Sequence, residues 1–554
     1  MTLRLLLAGA ALALPVPALA DTLVTNIAGV RTTPERQVER FTGLLVGDDG
    51  KVKRVLKGEM LKLPAGTKVV DGGGRTLLPG LIDAHGHVMG LGLALGQLDL
   101  VGTTSLQDLQ HRLRLYAAAN PDLPWITGRG WNQELWPGKR MPTSADLDAV
   151  VKDRPVWLER VDGHASVGNS AALRAAGVTA ATKAPSGGKI DRGLFVDAAT
   201  ALVDKHVPAP TAAMRDAALQ RAQQALLSRG ITAAADMGTS MEDWGAINRA
   251  STADRLPLRL FLYAAGSERL EAMLRVPHIG RTADKIVPVL GVKLYTDGAL
   301  GSRGAWLKAP YADAPHTRGL PLLSRERLAI ELRSALTLGR QVAVHAIGGA
   351  ANAMVLQEMM VAGCETGDRR CRVEHAQILD ERDMHLFARL KVLASMQPVH
   401  QTSDRLMAEA RLGPERLGGA YAWRTIDTLG GSMPFGSDFP VEDANPFHGL
   451  AAAISRQGLD GEPAGGWRPH ERLPFGKALA GFTRVAAYAS FAEDKMGALE
   501  PGQWADFILV DRPVADIPAA DLARTQVLET WIAGEKVWSK DVVPAKAGTS
   551  GEPG

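Results

Sequence analysis

The chain has 554 residues, 46% of them hydrophobic, which is enough apolar material for a large packed domain and a smaller second one. Its 63 basic and 60 acidic residues nearly cancel, giving a formal net charge of +3, and no run of Lys and Arg is interleaved with aromatic residues. This composition argues against nucleic acid as a partner and against disorder in the body of the chain.

The first twenty residues have the pattern of an export signal. Arg4 supplies a positive start, residues 5–16 are apolar, and Ala18-Leu19-Ala20 is a small-x-small cleavage site. A membrane anchor is the alternative, but this apolar run is short for a bilayer span. We therefore expect a signal peptide at 1–20 and a periplasmic or secreted mature protein with no stable membrane span. At the other end, residues 543–554 are rich in Pro, Gly and Ala, which predicts a loose tail.

Short β patterns occur near both ends of the chain. Strands are predicted at 22–26, 43–46, 52–56, 504–510, 527–532 and 536–538. The second and third of these flank Asp48-Asp49-Gly50, a good hairpin turn. Because chain ends often lie close together, we predict one small β-sandwich domain built from residues 21–78 and 497–542.

Between these ends, short apolar runs alternate with longer amphipathic stretches. The predicted strands are 77–84, 230–235, 258–264, 289–295, 341–345, 372–374, 392–396 and 433–435. Helical patterns follow several of them, for example at 325–338 and 350–362. Strand then helix, repeated about eight times, predicts an α/β fold, a (β/α)₈ TIM barrel over residues 79–496. A doubly wound sheet is the alternative, but Gly72-Gly73-Gly74 does not open a helix as a dinucleotide loop would.

A long segment, about residues 103–228, separates the first two barrel strands. It is too long for a plain crossover and contains a helical pattern at 105–119. We interpret it as an insertion after strand 1 that caps the barrel mouth.

Histidines and one aspartate stand where predicted strands end. His85 and His87 are two apart on a strand and so point the same way. His345 and His375 end two later strands, and Asp438 follows the eighth. In a TIM barrel the carboxyl ends of the strands form the active face. A single histidine there is more often structural, but four of them with an aspartate predict a site for divalent metal, with zinc favoured.

The cysteines and one lysine need separate treatment. Cys364 and Cys371, the only cysteines, can pair in an oxidising compartment, and two buried thiols stay open as the alternative. Lys293 lies inside an apolar strand, where a lysine is costly unless paired. A salt bridge to Asp297 is one interpretation.

The chain resembles the amidohydrolase superfamily, and within it amidohydrolase family 3, the branch similar to N-substituted formamide deformylase. The matching segments are 78–87 (LPGLIDAHGH), 291–301 with its DGALG core, 344–348, 373–375, 435–441 and 502–510. The resemblance implies the composite β-domain. It also implies that Lys293, carboxylated by CO₂, joins the ligands His85, His87, His345, His375 and Asp438 as a carbamate that bridges two metals. The residues themselves leave one or two ions per chain open.

The predicted reaction is hydrolysis of a carbon–nitrogen bond in a small-molecule amide or formamide. Hydroxide produced by metal activation of water attacks the carbonyl or imine carbon, and Asp438 acts as general base and then acid. His345 is the second predicted catalytic residue. A cyclic amide or imide hydrolase, a deaminase and an esterase stay open, as does a secreted binding or regulatory protein that retains the metal site. A homodimer is compatible with the sequence.

Four residues are candidates for substrate contact. The resemblance places Trp131 and His164 near the metal pocket, with His164 able to hydrogen-bond a substrate oxygen. A packed tryptophan and a structural histidine are the alternatives. Tyr295 and Arg303 lie on or just after the strand of Lys293. The sequence departs from the family at Gly349-Ala350, Asp191-Arg192-Gly193 and Ala235-Asp236. None of these is a predicted ligand, so the departures leave the substrate undetermined.

Overall fold

The computed structural model describes residues 20–59, 61–275 and 288–540. Residues 1–19 of the predicted signal peptide and the predicted tail at 543–554 lie outside the described residues. Within the described ranges, no helix is long and apolar enough to cross a membrane.

Seven short strands open the described chain. They are β1 (Thr22–Thr25), β2 (Ala28–Thr32), β3 (Val38–Phe41), β4 (Gly43–Val46), β5 (Val52–Leu56), β6 (Lys68–Asp71) and β7 (Thr76–Pro79). Strands β4 and β5 pair antiparallel as the predicted hairpin. The strand predicted at 77–84 is divided at Gly80 into β7 and β8 (Leu81–Gly86). A Cβ at Gly80 would lie 2.3 Å from Thr232 Oγ1, so only glycine allows this close approach.

The segment between the first two barrel strands forms its own sheet. Its elements are α1 (Val88–Ala94), β9 (Leu98–Asp99), α2 (Leu106–Ala119), β10 (Ile126–Trp131), α3 (Ser144–Asp148), β11 (Val156–Arg160), β12 (Ala165–Gly168), α4 (Ser170–Ala175), β13 (Gly188–Asp191), β14 (Leu194–Asp197), α5 (Ala201–Asp204) and α6 (Ala212–Leu227), with 3₁₀ helices Gln133–Leu135 and Pro137–Lys139. The sheet order is β13-β14-β12-β11-β10-β9. Its core includes Leu109, Ile126 and Leu158, which are fully buried.

The next part of the chain completes the barrel. Its elements are β15 (Ile231–Thr239), α7 (Met241–Thr252), β16 (Arg259–Ala265), α8 (Ser267–Arg275), β17 (Val289–Tyr295), α9 (Arg325–Thr337), β18 (Gln341–Ala346), α10 (Gly349–Val361), β19 (Arg372–His375), α11 (His385–Arg389), β20 (Leu393–Ser395), α12 (Pro398–Leu412), α13 (Trp423–Thr428), α14 (Pro446–Ser455), α15 (Phe475–Gly481) and α16 (Arg484–Ala489), with 3₁₀ helices Pro414–Arg416 and Pro469–Glu471. Seven strands pair in parallel in the order β20-β19-β18-β17-β16-β15-β8. The predicted α/β TIM-like barrel is therefore confirmed.

The prediction of an eighth strand at 433–435 is wrong. The segment makes only one isolated bridge, between Phe435 and Met396 of the β20 side. It still spans the gap between the sheet edges, because Met396 N donates to Pro434 O at 3.1 Å and Ala84 N donates to Phe435 O at 3.0 Å. Pro434 has no N–H to donate to a ladder, so a regular strand cannot form there.

Strands from both chain ends meet in one further sheet, and a second sheet contains N-terminal strands alone. The C-terminal elements are β21 (Phe507–Val510), α17 (Ala519–Ala523), β22 (Val527–Ile532) and β23 (Glu535–Ser539). One sheet has the order β23-β22-β21-β7-β2-β3 and the other β5-β4-β1-β6. Leu78 of β7 pairs with Ile508 of β21. The two sheets share a core that includes Val24, Phe41 and Phe507. The predicted domain boundaries stay predictions.

A disulfide joins Cys364 and Cys371, the pairing that the sequence left open. We expect replacement of both cysteines by serine to lower the free energy of unfolding by about 2–3 kcal/mol, because the bond restricts a short loop in the unfolded chain. Denaturant unfolding of oxidised wild type and the double variant measures this difference. Reduced wild type should resemble the variant, and equal stability of all three would show that the bond contributes nothing.

Candidate metal centre

Four predicted ligands converge where neighbouring barrel strands end. His85 stands in β8, Lys293 in β17, His345 in β18 and His375 in β19, and all four are buried. The imidazole centroids of His375 lie 4.7 Å from His85 and 4.5 Å from His345. Lys293 Nζ lies 3.1 Å from His85 Nε2. The parallel register that carries these strands therefore gathers their side chains into one cluster.

Asp438 reaches this cluster from the segment that closes the barrel. Its backbone is left-handed, with φ +60°, and its N–H donates to His85 O at 2.7 Å. Its Oδ1 lies 3.1 Å from His87 Nε2 and 3.4 Å from His85 Nε2. Its Oδ2 lies 3.3 Å from His400 Nε2. Two groups thus have ligand atoms within 4.8 Å of one another: His85, His87 and Asp438, and His375, His400 and Asp438.

Hydrogen bonds at Nδ1 determine which ring nitrogen of His85 and of His375 faces the cluster. His85 Nδ1 lies 2.5 Å from Glu374 Oε2, and His375 Nδ1 lies 2.8 Å from Gln397 Oε1. Both partners are acceptors, so Nδ1 carries the proton and Nε2 keeps its lone pair for the centre. Burial lowers the pKa of His375, and that of His345, well below the usual value. Both rings are therefore neutral, the state that ligates metal.

Charges around the cluster are balanced by buried partners. Burial raises the pKa of Glu374, but the charge of Arg372 and the hydrogen bond with His85 lower it to about 2. Burial also raises the pKa of Asp438, yet the neighbouring His85 and the contact with His400 hold it well below its usual value. Both carboxylates are therefore ionised at neutral pH, Glu374 behind His85 and Asp438 in the centre.

This donor set fits a divalent metal. Asp438 Oδ1 faces the Nε2 atoms of His87 and His85, and the buried Nε2 of His345 makes no hydrogen bond within the described part of the chain. A buried imidazole nitrogen without a partner is costly unless a cation or a donor reaches it. Imidazole nitrogens with a carboxylate are the ligands that zinc and other first-row divalent metals take.

The salt bridge between Lys293 and Asp297, which was one interpretation of the sequence, is not formed among the described residues. The Asp297 carboxylate accepts backbone N–H groups of Ile347 at 3.0 Å, and of Gly348 and Trp306 at 2.8 Å, and so joins the loops after β17 and β18. Lys293 instead faces His85, with Nζ 4.8 Å above the centroid of the Tyr295 ring. Burial lowers the pKa of Lys293 to about 8.

Comparisons with known proteins identify the family of the chain. A family model described as the amidohydrolase family, Amidohydro_3, matches residues 68–538. The chain belongs to amidohydrolase family 3. It is 32% identical to Protein LONG AFTER FAR-RED 3 of Arabidopsis thaliana, over 95% of this chain and 92% of that protein. It is 26% identical to an N-substituted formamide deformylase of Arthrobacter pascens, over 84% of this chain and 89% of the relative.

A solved structure supports the same assignment. A metal-dependent hydrolase from Pyrococcus horikoshii OT3, described as uncharacterized, superposes with a TM-score of 0.73 at 27% identity. The match covers 90% of this chain and 99% of that one. The present protein is accordingly a hydrolase of a metal-dependent amidohydrolase family.

Two of the four predicted substrate contacts of this amidohydrolase lie beside the predicted metal ligands. The His164 ring centroid lies 5.3 Å from that of His345, and the Tyr295 ring lies 5.5 Å from it with 38% of Tyr295 exposed. Burial lowers the pKa of His164, but the hydrogen bond and charge of Asp197 raise it to about 9. His164 is therefore a charged donor at neutral pH.

The other two candidates are engaged elsewhere. Trp131 is fully buried in the core of the β9–β14 sheet, where its Nε1 donates to Leu158 O at 2.9 Å. This arrangement favours the packed alternative for Trp131. Arg303 lies 2.8 Å from Asp313 in an ion pair. The indole and the guanidinium thus already have partners within the amidohydrolase chain.

Three residues of the centre were missed by the sequence reasoning. Glu374 holds His85, and its spacing of two from Arg372 on a strand could have shown that both face the barrel interior. His400 lies between Asp438 and Glu442, and burial lowers its pKa while these carboxylates raise it to about 10. Asp236 accepts the N–H of Val88 at 2.7 Å, directly after His87, which only the folded chain reveals.

We expect the variant Glu374→Gln to lose about 3–5 kcal/mol of stability, because it leaves the buried charge of Arg372 without its partner. Metal affinity should fall about 10- to 100-fold, since His85 loses its carboxylate acceptor. Thermal or denaturant unfolding of metal-free protein and metal titration measure the two effects.

The loss of stability in Glu374→Gln depends on pH in a defined direction. The folded pKa of Glu374, about 2, is lowered from 4.5, so its contribution is present above pH 4.5 and is lost as pH falls towards 2. The stability gap between metal-free wild type and variant should narrow over that window. Glu500→Gln removes an ion pair in which the glutamate side chain is 42% exposed, and it should cost little. A stability loss in Glu374→Gln as small as that in Glu500→Gln would contradict the prediction.

Proposed function

We propose that this protein hydrolyses a carbon–nitrogen bond in a small, non-peptide amide or formamide. The observation that carries the proposal is the convergence of Asp438 Oδ1 with the Nε2 atoms of His85 and His87 at the carboxyl ends of the barrel strands. The printed name of the Arthrobacter relative, N-substituted formamide deformylase, directs the choice of substrate class.

A bound divalent metal supplies Lewis acidity, which makes water a stronger acid and polarises a carbonyl group. The residues of the chain handle the protons. Asp438 is held ionised and its Oδ1 lies among the predicted metal ligands, so it can accept a proton from the attacking water. It then returns this proton to the leaving nitrogen. The neutral rings of His345 and His375 complete the donor set.

Lys293 is proposed to carry a carbamate, and zinc is the proposed metal. Only a neutral amine reacts with CO₂, and the pKa of about 8 leaves a useful neutral fraction near physiological pH. As a carbamate, the side chain would place a second carboxylate beside His85 and offer an oxygen to each of two metals. The aromatic face of Tyr295 supports a cationic amine before this reaction.

We propose a periplasmic or secreted location. The disulfide between Cys364 and Cys371 supports it, because such bonds persist in oxidising compartments. Alkylation of thiols in the native host, followed by mass spectrometry of the processed amino terminus, tests both the compartment and cleavage at Ala20.

The activity is tested with 4-nitroformanilide, whose hydrolysis releases coloured 4-nitroaniline, followed by a panel of formamides, acetamides, cyclic imides and esters. We expect turnover that a chelator abolishes and added zinc restores. Turnover of imides or esters alone would move the substrate class to those alternatives. Bound metal with no turnover anywhere on the panel would overturn the proposal in favour of a binding or regulatory protein.

A further inference from the structure

The β9–β14 sheet delivers one histidine–aspartate pair to the metal centre. His164 follows β11, and Asp197 ends β14, the strand that pairs with β12. His164 Nδ1 lies 2.7 Å from Asp197 Oδ1, and Asp197 N donates to His164 O at 2.9 Å. The two residues are thus joined by both side chain and backbone, and the ring of His164 lies against that of His345.

The carboxylate of Asp197 is enclosed by the barrel. The Asp197 side chain is fully buried, and its Oδ2 makes no hydrogen bond within the described residues. Cβ atoms added at Gly298 and Gly304, in the loop after β17, would lie 2.6 Å and 2.5 Å from its carboxylate oxygens. Any larger residue at these glycines would therefore displace the carboxylate.

Asp197 also carries an energetic cost. Its backbone is left-handed, with φ +49°, a conformation that aspartate adopts more readily than most non-glycine residues. The cost lies in its buried carboxylate, of which one oxygen is unsatisfied. Keeping this acceptor behind His164 therefore lowers the local stability.

We propose that Asp197 is a positioning residue that fixes the ring of His164 so that its Nε2 faces the metal centre and the substrate bound there. Nδ1 is occupied by Asp197, so Nε2 is the nitrogen left for the centre. This inference rests on the proposed function and deepens it.

The variants Asp197→Ala, Asp197→Asn and His164→Gln test this role. Zinc-loaded protein is assayed with 4-nitroformanilide, and binding of acetohydroxamate, a carbonyl-containing probe, is measured by calorimetry. Asp197→Ala should lower kcat about 10- to 100-fold and weaken acetohydroxamate about 10-fold, with metal content unchanged. Asp197→Asn, which keeps an oxygen acceptor for Nδ1–H, should recover part of both.

The double variant Asp197→Ala with His164→Gln separates positioning from a structural role. It should be no worse than His164→Gln alone, because Asp197 acts only through His164. Asp191→Asn is the matched control on the same sheet, with 47% of the aspartate side chain exposed, and should leave kcat and binding unchanged.

Several outcomes overturn the proposal. Unchanged kcat and acetohydroxamate affinity in Asp197→Ala, or additive losses in the double variant, would exclude the positioning role. If Asp197→Ala fails to fold in a thermal melt, Asp197→Asn and His164→Gln decide the same comparison. If wild type does not turn over 4-nitroformanilide, the proposed function fails for that substrate, while the acetohydroxamate binding still decides the role of Asp197.

Discussion

The Asp438→Asn variant should lose about 10²- to 10⁴-fold in kcat while keeping its fold. An amide has the size of the carboxylate but cannot accept the proton of the attacking water. Asparagine, like aspartate, tolerates the left-handed backbone of this position, with φ +60°. The measurement is steady-state kcat with 4-nitroformanilide, with metal content determined on the same samples.

Asp443, five residues after Asp438, provides the control for this prediction. Asp443 lies 2.8 Å from Arg229 in an ion pair with 45% of its side chain exposed. Asp443→Asn should leave kcat unchanged. If Asp438→Asn retained kcat within about 3-fold at full metal content, proton transfer by Asp438 would be excluded.

The Lys293→Met variant should lose metal. We expect about two zinc ions per chain in wild type and one or none in the variant, because methionine has the length of lysine but cannot form a carbamate. The fold should persist, since methionine suits a fully buried position. Mass spectrometry of metal content, with and without added bicarbonate, makes the comparison on protein purified without chelator.

A lysine at the barrel surface provides the control. Lys308 pairs with Asp380 and Asp383 with 38% of its side chain exposed, and Lys308→Met should bind as much metal as wild type. One metal in both wild type and Lys293→Met would make Lys293 a structural lysine beside a mononuclear centre. No metal in either, after incubation with zinc and bicarbonate, would contradict the central proposal.

Much of the fold was predictable because it depends on local pattern. The apolar strand runs alternate with helical ones, and β17 is observed at Val289–Tyr295 as predicted. Because alternate residues of a strand point the same way, His85 and His87 were predicted to lie together. The TIM barrel was predicted to bring His345 and His375 to the same face. These inferences need only the periodicity of each segment and the rule that strand ends share one face.

The remainder depended on contacts between distant segments. Pro434 interrupts the eighth strand because it lacks a donor, and its partner across the gap is known only once the barrel is closed. Asp297 is the neighbour of Lys293 in sequence, but its carboxylate is taken by N–H groups of a loop some fifty residues later. Likewise, nothing near Asp197 in sequence indicates that it stands behind His164.

The sheet shared by the two chain ends has a consequence for biosynthesis. β7 pairs with β21, so the edge of β7 at Leu78 is covered only after Ile508 has been synthesised. A ribosome adds about 5–20 residues per second, and the apolar edge of β7 therefore stays open for about 20 seconds or more of translation. An open edge recruits other strands, so the nascent chain should need a chaperone until its last strands emerge. Because folding cannot be completed before the carboxyl terminus is synthesised, the chain stays unfolded enough to pass through an export channel. This agrees with the export predicted from its first twenty residues.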